Sequence, residues 1–172
     1  MPDLPDLPAS IRSRHIPAVN GLTMHVLEAG FDSGARPVVL LLHGFPSASH
    51  MFRDLIPELA SDYRVVAPDL PGFGQSAQPA RDAFTYSFDN FAKVIDRFTE
   101  VVGLTHYAMY VFDYGAPVGF RLAANHPERI TAIITQNGNA YVEGVSEAFS
   151  PIQAYWKSPT RENRDALRGF LA

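Results

Sequence analysis

The sequence predicts an α/β fold, a doubly wound and mostly parallel sheet, and three observations carry that reading. Val38-Val39-Leu40-Leu41-Leu42 is a continuous apolar run, which suits a strand buried on both faces of a parallel sheet. Short apolar runs of this kind alternate along the chain with stretches whose apolar residues recur at helical spacing. At Phe112-Asp113-Tyr114-Gly115 a strand pattern gives way to a helix pattern across a single acidic residue.

The elements follow in order. Residues 1–10 repeat Pro-Asp-Leu and read as a flexible leader, since that composition holds no regular element. Residues 11–29 read as two strands around Asn20-Gly21, a hairpin turn pair. In the second strand His25, Leu27 and Ala29 alternate with Met24, Val26 and Glu28, the pattern of a half-buried strand. After the run at 38–42 a helix is expected, with Ser47 or Ser49 as its cap and with Phe52, Leu55, Ile56 and Leu59 on one face. Residues 64–67 are the next strand, and the segment 69–74 is turn-rich. Phe88, Phe91, Val94, Ile95, Phe98, Val101 and Val102 mark a long amphipathic helix ended near Gly103. Residues 107–112 form a strand, 117–124 a helix stopped at His126-Pro127, and 130–135 another strand. Beyond Asn137 the chain turns polar and aromatic with helical tendency. The division is therefore a leader (1–10), a core (11–139) and the start of a helical cap segment (140–172).

Composition narrows the function classes. The chain has 172 residues, 47% hydrophobic and 19% charged, enough for a domain with a buried core. A formal net charge of −4 argues against nucleic acid as a partner. Cysteine is absent, which excludes disulfides, a thiol nucleophile and thiolate metal sites. The acidic, proline-rich start is not a signal peptide, and no apolar run is long enough to span a membrane. The default location is cytoplasmic. No cofactor or metal is expected, and the partner is a small apolar substrate.

A residue held in a tight strand-to-helix turn points out at the carboxyl end of the sheet, where open α/β folds bind ligands. Asp113 holds that position, Gly115 relieves the crowding, and the helix N-terminus sets a positive partial charge beside the acid. The plainer alternative is that Asp113 is only a helix N-cap. His43-Gly44-Phe45-Pro46 follows the buried strand, and if the two strands are neighbours the backbone N–H groups of Phe45 and Tyr114 converge on one developing anion.

His43-Gly44-Phe45-Pro46, Asp69-Leu70-Pro71-Gly72-Phe73-Gly74-Gln75-Ser76 and Phe112-Asp113-Tyr114-Gly115, in that order and spacing, resemble the α/β-hydrolase fold. Within it they are similar to the branch of epoxide hydrolases and haloalkane dehalogenases, where Asp replaces Ser at the elbow. The resemblance covers residues 11–137 and implies roles. Asp113 is the nucleophile and forms an alkyl-enzyme ester; the Phe45 and Tyr114 N–H groups form the oxyanion hole; His43 is a structural loop residue; the Phe45–Pro46 peptide is cis. It also implies substrate contacts in the cap segment, with Tyr141 and Tyr155 as proton donors to an opening oxide and Trp156 lining the pocket; plain packing is the alternative for each. Tyr114 departs from the Trp usual in dehalogenases, Phe45 matches the epoxide hydrolases, and Val111 matches the dehalogenases, so the subclass stays open.

The mechanism also needs a histidine base after the last strand, with an acid to orient it. None of His15, His25, His43, His50, His106 and His126 follows residue 130, and Asn137 stands where one variant of the family carries the acid. The expectation is a C-terminally truncated fold whose strand at 130–135 is an apolar edge, open to self-association. Two rival readings remain: a ligand-binding or interaction module derived from a hydrolase, and a nicotinamide-binding Rossmann domain. The second lacks the G-x-G-x-x-G phosphate loop.

Overall fold

A computed structural model describes residues 7–31 and 36–170. The first six residues of the expected leader and the final two of the cap segment lie outside the described residues. Residues 7–10 lead into the fold through a turn in which Ile11 N–H donates to the Pro8 carbonyl. The chain divides into two compact units, Met1–Gly138 and Asn139–Ala172.

The first unit is built on a six-stranded sheet: β1 (Arg12–Val19), β2 (Leu22–Ala29), β3 (Val38–Leu42), β4 (Arg64–Pro68), β5 (Tyr107–Phe112) and β6 (Ile130–Gln136). Their order across the sheet is β1-β2-β4-β3-β5-β6. β1 and β2 form an antiparallel hairpin, and β2 also runs antiparallel to β4. From β4 onward all neighbours are parallel. Asn20 and Gly21 both have positive φ (48° and 79°), as a two-residue hairpin turn requires.

The apolar run of β3 is read by the two faces alternately. Leu40 and Leu42 enter one core with Phe91, Ile95 and Phe98 of α2 (Phe88–Val101) and Val118 and Leu122 of α3 (Gly115–Asn125). Val39 and Leu41 enter the other with Phe52 and with Ile56 of α1 (Leu55–Leu59). Helices on both faces make the sheet doubly wound, so a strand with no polar face is the one that fits.

Three expectations need correction. β2 is buried on both faces from Met24 to Ala29, because its polar residues are paired inside rather than turned to solvent. Glu28, for example, is 1% exposed and meets Arg12, Arg14 and Arg64 at 2.9, 2.7 and 3.8 Å. The helix after β3 is broken into a 3₁₀ turn (Ser49–Phe52) and the short α1, and Leu55 is exposed. Neither serine side chain caps it: Ser47 Oγ donates to the Gly44 carbonyl, and Ser49 N–H is taken by a carboxylate from the end of β4.

β6 is the outer strand. Ile133 and Ile134, on opposite faces, are 40% and 53% exposed. The second unit holds α4 (Ser150–Lys157), α5 (Arg161–Ala166) and short 3₁₀ turns. No helix among the described residues is long and apolar enough to cross a membrane.

Candidate active site

Asp113 directly follows β5, and α3 begins two residues later at Gly115. Its φ is 48°, in the left-handed region that costs an L-residue about 1 kcal/mol or more. The turn is tight because α3 starts against β3: a Cβ on Gly115 would lie 2.2 Å from the Leu42 carbonyl oxygen. Asp113 does not cap the helix. A capping Asp sits in extended backbone and accepts from an N–H two or three residues on, whereas here Tyr114 is the N-cap residue and donates its own N–H to the Asp113 carboxylate.

One carboxylate oxygen is held. Asp113 Oδ1 accepts from Phe45 N–H at 2.7 Å and from Tyr114 N–H at 2.6 Å. Oδ2 accepts no hydrogen bond among the described residues. The neighbouring strands β3 and β5 bring the two donors together, with Leu42 registered against Val111. Gly44 makes the approach sterically feasible, since a Cβ there would lie 2.3 Å from Asp113 Cβ and 2.6 Å from Oδ1.

His43 locks the loop that carries Phe45. It is fully buried; its Nε2 accepts from Leu70 N–H at 3.0 Å, so Nδ1 carries the ring proton and donates to the Gly44 carbonyl at 2.9 Å. Burial lowers its pKa against the pull of the Gly44 carbonyl and the Asp69 and Asp113 charges, which favours the uncharged ring this bonding requires. The Phe45–Pro46 peptide is cis.

Aromatic rings surround the acid. Tyr114 packs against Phe45, Phe73 and Phe88 at centroid distances of 5.6, 6.3 and 5.0 Å. Burial, and secondarily the Asp113 charge, raise the pKa of the Tyr114 phenol and keep it protonated. An open pocket of about 510 Å³ lies between the loops after β3 and β4, bounded by Pro46, His50, Met51 and Phe73 but not by Asp113.

Asp113, Phe45 and Tyr114 are thus brought together. Tyr141, Tyr155 and Trp156 belong to the second unit, where Tyr141 and Trp156 are 77% and 60% exposed and Tyr155 is half-buried on α4. No histidine among the described residues is hydrogen-bonded to Asp113. His126, at the end of α3, faces Asp96 and Glu128 instead. Among the described residues no group of three or more His, Asp or Glu gathers to hold a metal ion.

Sequence reasoning missed a second polar cluster. Asp69, 1% exposed at the end of β4, receives His25 Nδ1 at 2.8 Å, Ser49 N–H at 2.7 Å and Gln75 N–H at 2.8 Å. Burial alone would raise its pKa; these hydrogen bonds outweigh it and hold the carboxyl below its usual value. The available signal was a histidine and an acid placed within or beside strands otherwise apolar.

A family model described as alpha/beta hydrolase fold matches residues 37–167. An uncharacterized hydrolase of Saccharomyces cerevisiae is 47% identical over 148 residues, 86% of this chain and 50% of that protein. A haloalkane dehalogenase of Mycobacterium marinum is 38% identical over 118 residues, 68% of this chain and 39% of that protein. Among solved structures, an epoxide hydrolase from Vigna radiata has a TM-score of 0.65 at 36% identity, covering 73% of this chain and 40% of that one. The haloalkane dehalogenase DbeA from Bradyrhizobium elkani has a TM-score of 0.69 at 32% identity, covering 74% and 42%. The chain spans half or less of the length of these relatives.

Proposed function

The chain belongs to the α/β-hydrolase fold family, and on that premise we propose that Asp113 is a nucleophile that forms an ester with an epoxide or an alkyl halide. The observation that carries this reading is the asymmetry of its carboxylate. Two N–H groups converge on Oδ1, and Oδ2 has no hydrogen-bond partner among the described residues. Oδ2 attacks carbon; the new C–O bond forms as the epoxide C–O or the carbon–halogen bond breaks, and the displaced oxide or halide takes the electron pair. Oδ1 becomes the carbonyl oxygen of the ester. When water later adds to that carbonyl, charge develops on Oδ1, where the Phe45 and Tyr114 N–H groups already point. The held oxygen serves the second step and the free oxygen the first.

Hydrolysis of the ester calls for a general base to activate water, and no histidine among the described residues is hydrogen-bonded to Asp113. The chemistry expected of this chain is ester formation from an apolar substrate, without release. Epoxide hydrolase and dehalogenase relatives both match, so both electrophiles belong in the test. Folded chain is incubated with an aryl epoxide or a bromoalkane, and intact mass and peptide mapping follow the product. One stable adduct on Asp113 is expected. A folded chain that stays unmodified, or is modified elsewhere, refutes the reading. Ligand affinity without an adduct would favour the alternative of a non-catalytic binding module, whose support is the same missing histidine contact.

A further inference from the structure

We propose that Ser13, His25 and Asp69 form a second nucleophilic centre, in which Ser13 takes the acyl group of an activated ester. The three side chains stand in a line across β1, β2 and the end of β4. Ser13 Oγ lies 2.8 Å from His25 Nε2, and His25 Nδ1 lies 2.8 Å from Asp69 Oδ2. The Asp69 carboxylate only accepts, so the ring proton sits on Nδ1 and Nε2 turns its lone pair to the serine hydroxyl. That is the proton arrangement in which a histidine acts as general base on a serine.

The supporting contacts hold this arrangement fixed. Asp69 is tied by the Ser49 and Gln75 N–H groups. Ser76 Oγ accepts from the His25 backbone N–H and donates to the Asp69 carbonyl, which locks β2 to the loop after β4. His25 and Asp69 are each 1% exposed, yet Ser13 is exposed on an edge strand. A link between strands would be complete with His25 and Asp69 alone; the residue at its outer end, Ser13, is exposed. Four strand steps separate β1 from β5, about 19 Å across the sheet, so Ser13 and Asp113 are separate attacking groups.

The reaction balances as an acyl transfer. Ser13 Oγ bonds to the carbonyl carbon of an aryl ester, its proton passes to His25 Nε2, the carbon–aryloxide bond breaks, and the aryloxide leaves with that proton as the phenol. Acyl-Ser13 remains. A fluorophosphonate probes the same step without turnover: the Oγ–P bond forms, the P–F bond breaks, and the serine proton leaves with fluoride.

The test uses the full chain in an Asp113→Ala background, which separates it from the elbow chemistry. Intact mass and peptide mapping should find one phosphonyl group on Ser13, absent in Ser13→Ala. A second measurement guards against a probe that merely fits poorly. The chain has no cysteine, so Ser13→Cys and the exposed control Ser10→Cys each carry a single thiol. Iodoacetamide at pH 7 should alkylate the thiol at position 13 at least about tenfold faster, because a thiol beside a histidine base reacts as thiolate. Folded chain with no adduct on Ser13, or equal rates for the two thiols, overturns the proposal.

Discussion

Asp69 and Asp113 occupy equivalent places: each directly follows a strand, β4 and β5, and these strands run parallel, so both acids sit at the same end of the sheet. Their surroundings differ. Asp69 has both oxygens occupied, Oδ1 by Ser49 N–H and Oδ2 by His25 and Gln75 N–H, and it is sealed from solvent. Asp113 has two donors on Oδ1, none among the described residues on Oδ2, a positive φ and a half-buried side chain. An acid with both oxygens engaged is a fastener between loops. An acid with one oxygen fixed and the other without a donor among the described residues has the form of a positioned reagent, the role proposed for Asp113. The distribution of donors between the two oxygens distinguishes them, more than burial alone.

This contrast predicts a double dissociation. Asp113→Ala should abolish ester formation, a drop of at least about 10³-fold in labelling by mass spectrometry, while the thermal midpoint barely moves. Asp69→Ala should do the reverse. It strands three donors, two of them buried, and loss of one partner from such a cluster costs about 3–5 kcal/mol, which urea unfolding measures. Labelling at Asp113 should persist in whatever fraction stays folded. Unfolding of the chain by Asp113→Ala would erase the distinction. The two acids should also separate in acid titration. The pKa of Asp69 is depressed in the folded state, so its contribution is complete above the ordinary aspartate value near 4 and is lost as pH falls through the lower folded value. Asp69→Asn should therefore show a shallower loss of stability below about pH 4 than the parent chain.

The two acids were not equally legible in the sequence. The structural setting of Asp113 could be read because it is local: an apolar strand before it, Gly115 after it, and a second loop of recognisable type after β3. The parallel strands were legible for a similar reason, since burial on both faces leaves an apolar run. The role of Asp69 depends on β2 lying beside β4, which sets His25 and Asp69 against each other across 44 residues. Nothing local announces that pairing, so β2 read as half-buried and the serines near 47–49 read as caps. The carboxylate 20 residues away took the Ser49 N–H instead.

The comparison can be sharpened at Gly44. A Cβ there would press on Asp113 Cβ and Oδ1, and the loop must retreat by several tenths of an ångström or more. Phe45 N–H moves with it, so Oδ1 loses one of its two donors and the carboxylate its orientation. Displacement of this size costs on the order of 100-fold in the rate of ester formation. The Asp69 cluster does not touch Gly44 directly, so stability should fall far less than in Asp69→Ala. Time-resolved intact mass gives the rate and urea unfolding the stability. A Gly44→Ala chain that labels at the parent rate would show that the N–H pair does not position the acid.

The smallest effect tests whether Asp113 is there at a cost to the fold. Its φ of 48° is disfavoured for any L-residue with a side chain and neutral for glycine. Asp113→Gly removes that strain and also removes an acceptor from the Phe45 and Tyr114 N–H groups. Phe45 is exposed enough for water to take over its donor, so little is lost on that side. Glycine adds entropy to the unfolded chain, which offsets part of the gain. The balance is a gain of about 0.5–1 kcal/mol, seen as a higher urea midpoint in a chain that no longer labels. No such gain is available at Asp69, where every substitution breaks hydrogen bonds. If Asp113→Gly is instead markedly less stable, the two hydrogen bonds to Oδ1 stabilise the fold as those to Asp69 do, and the division between fastener and reagent fails at its reagent end.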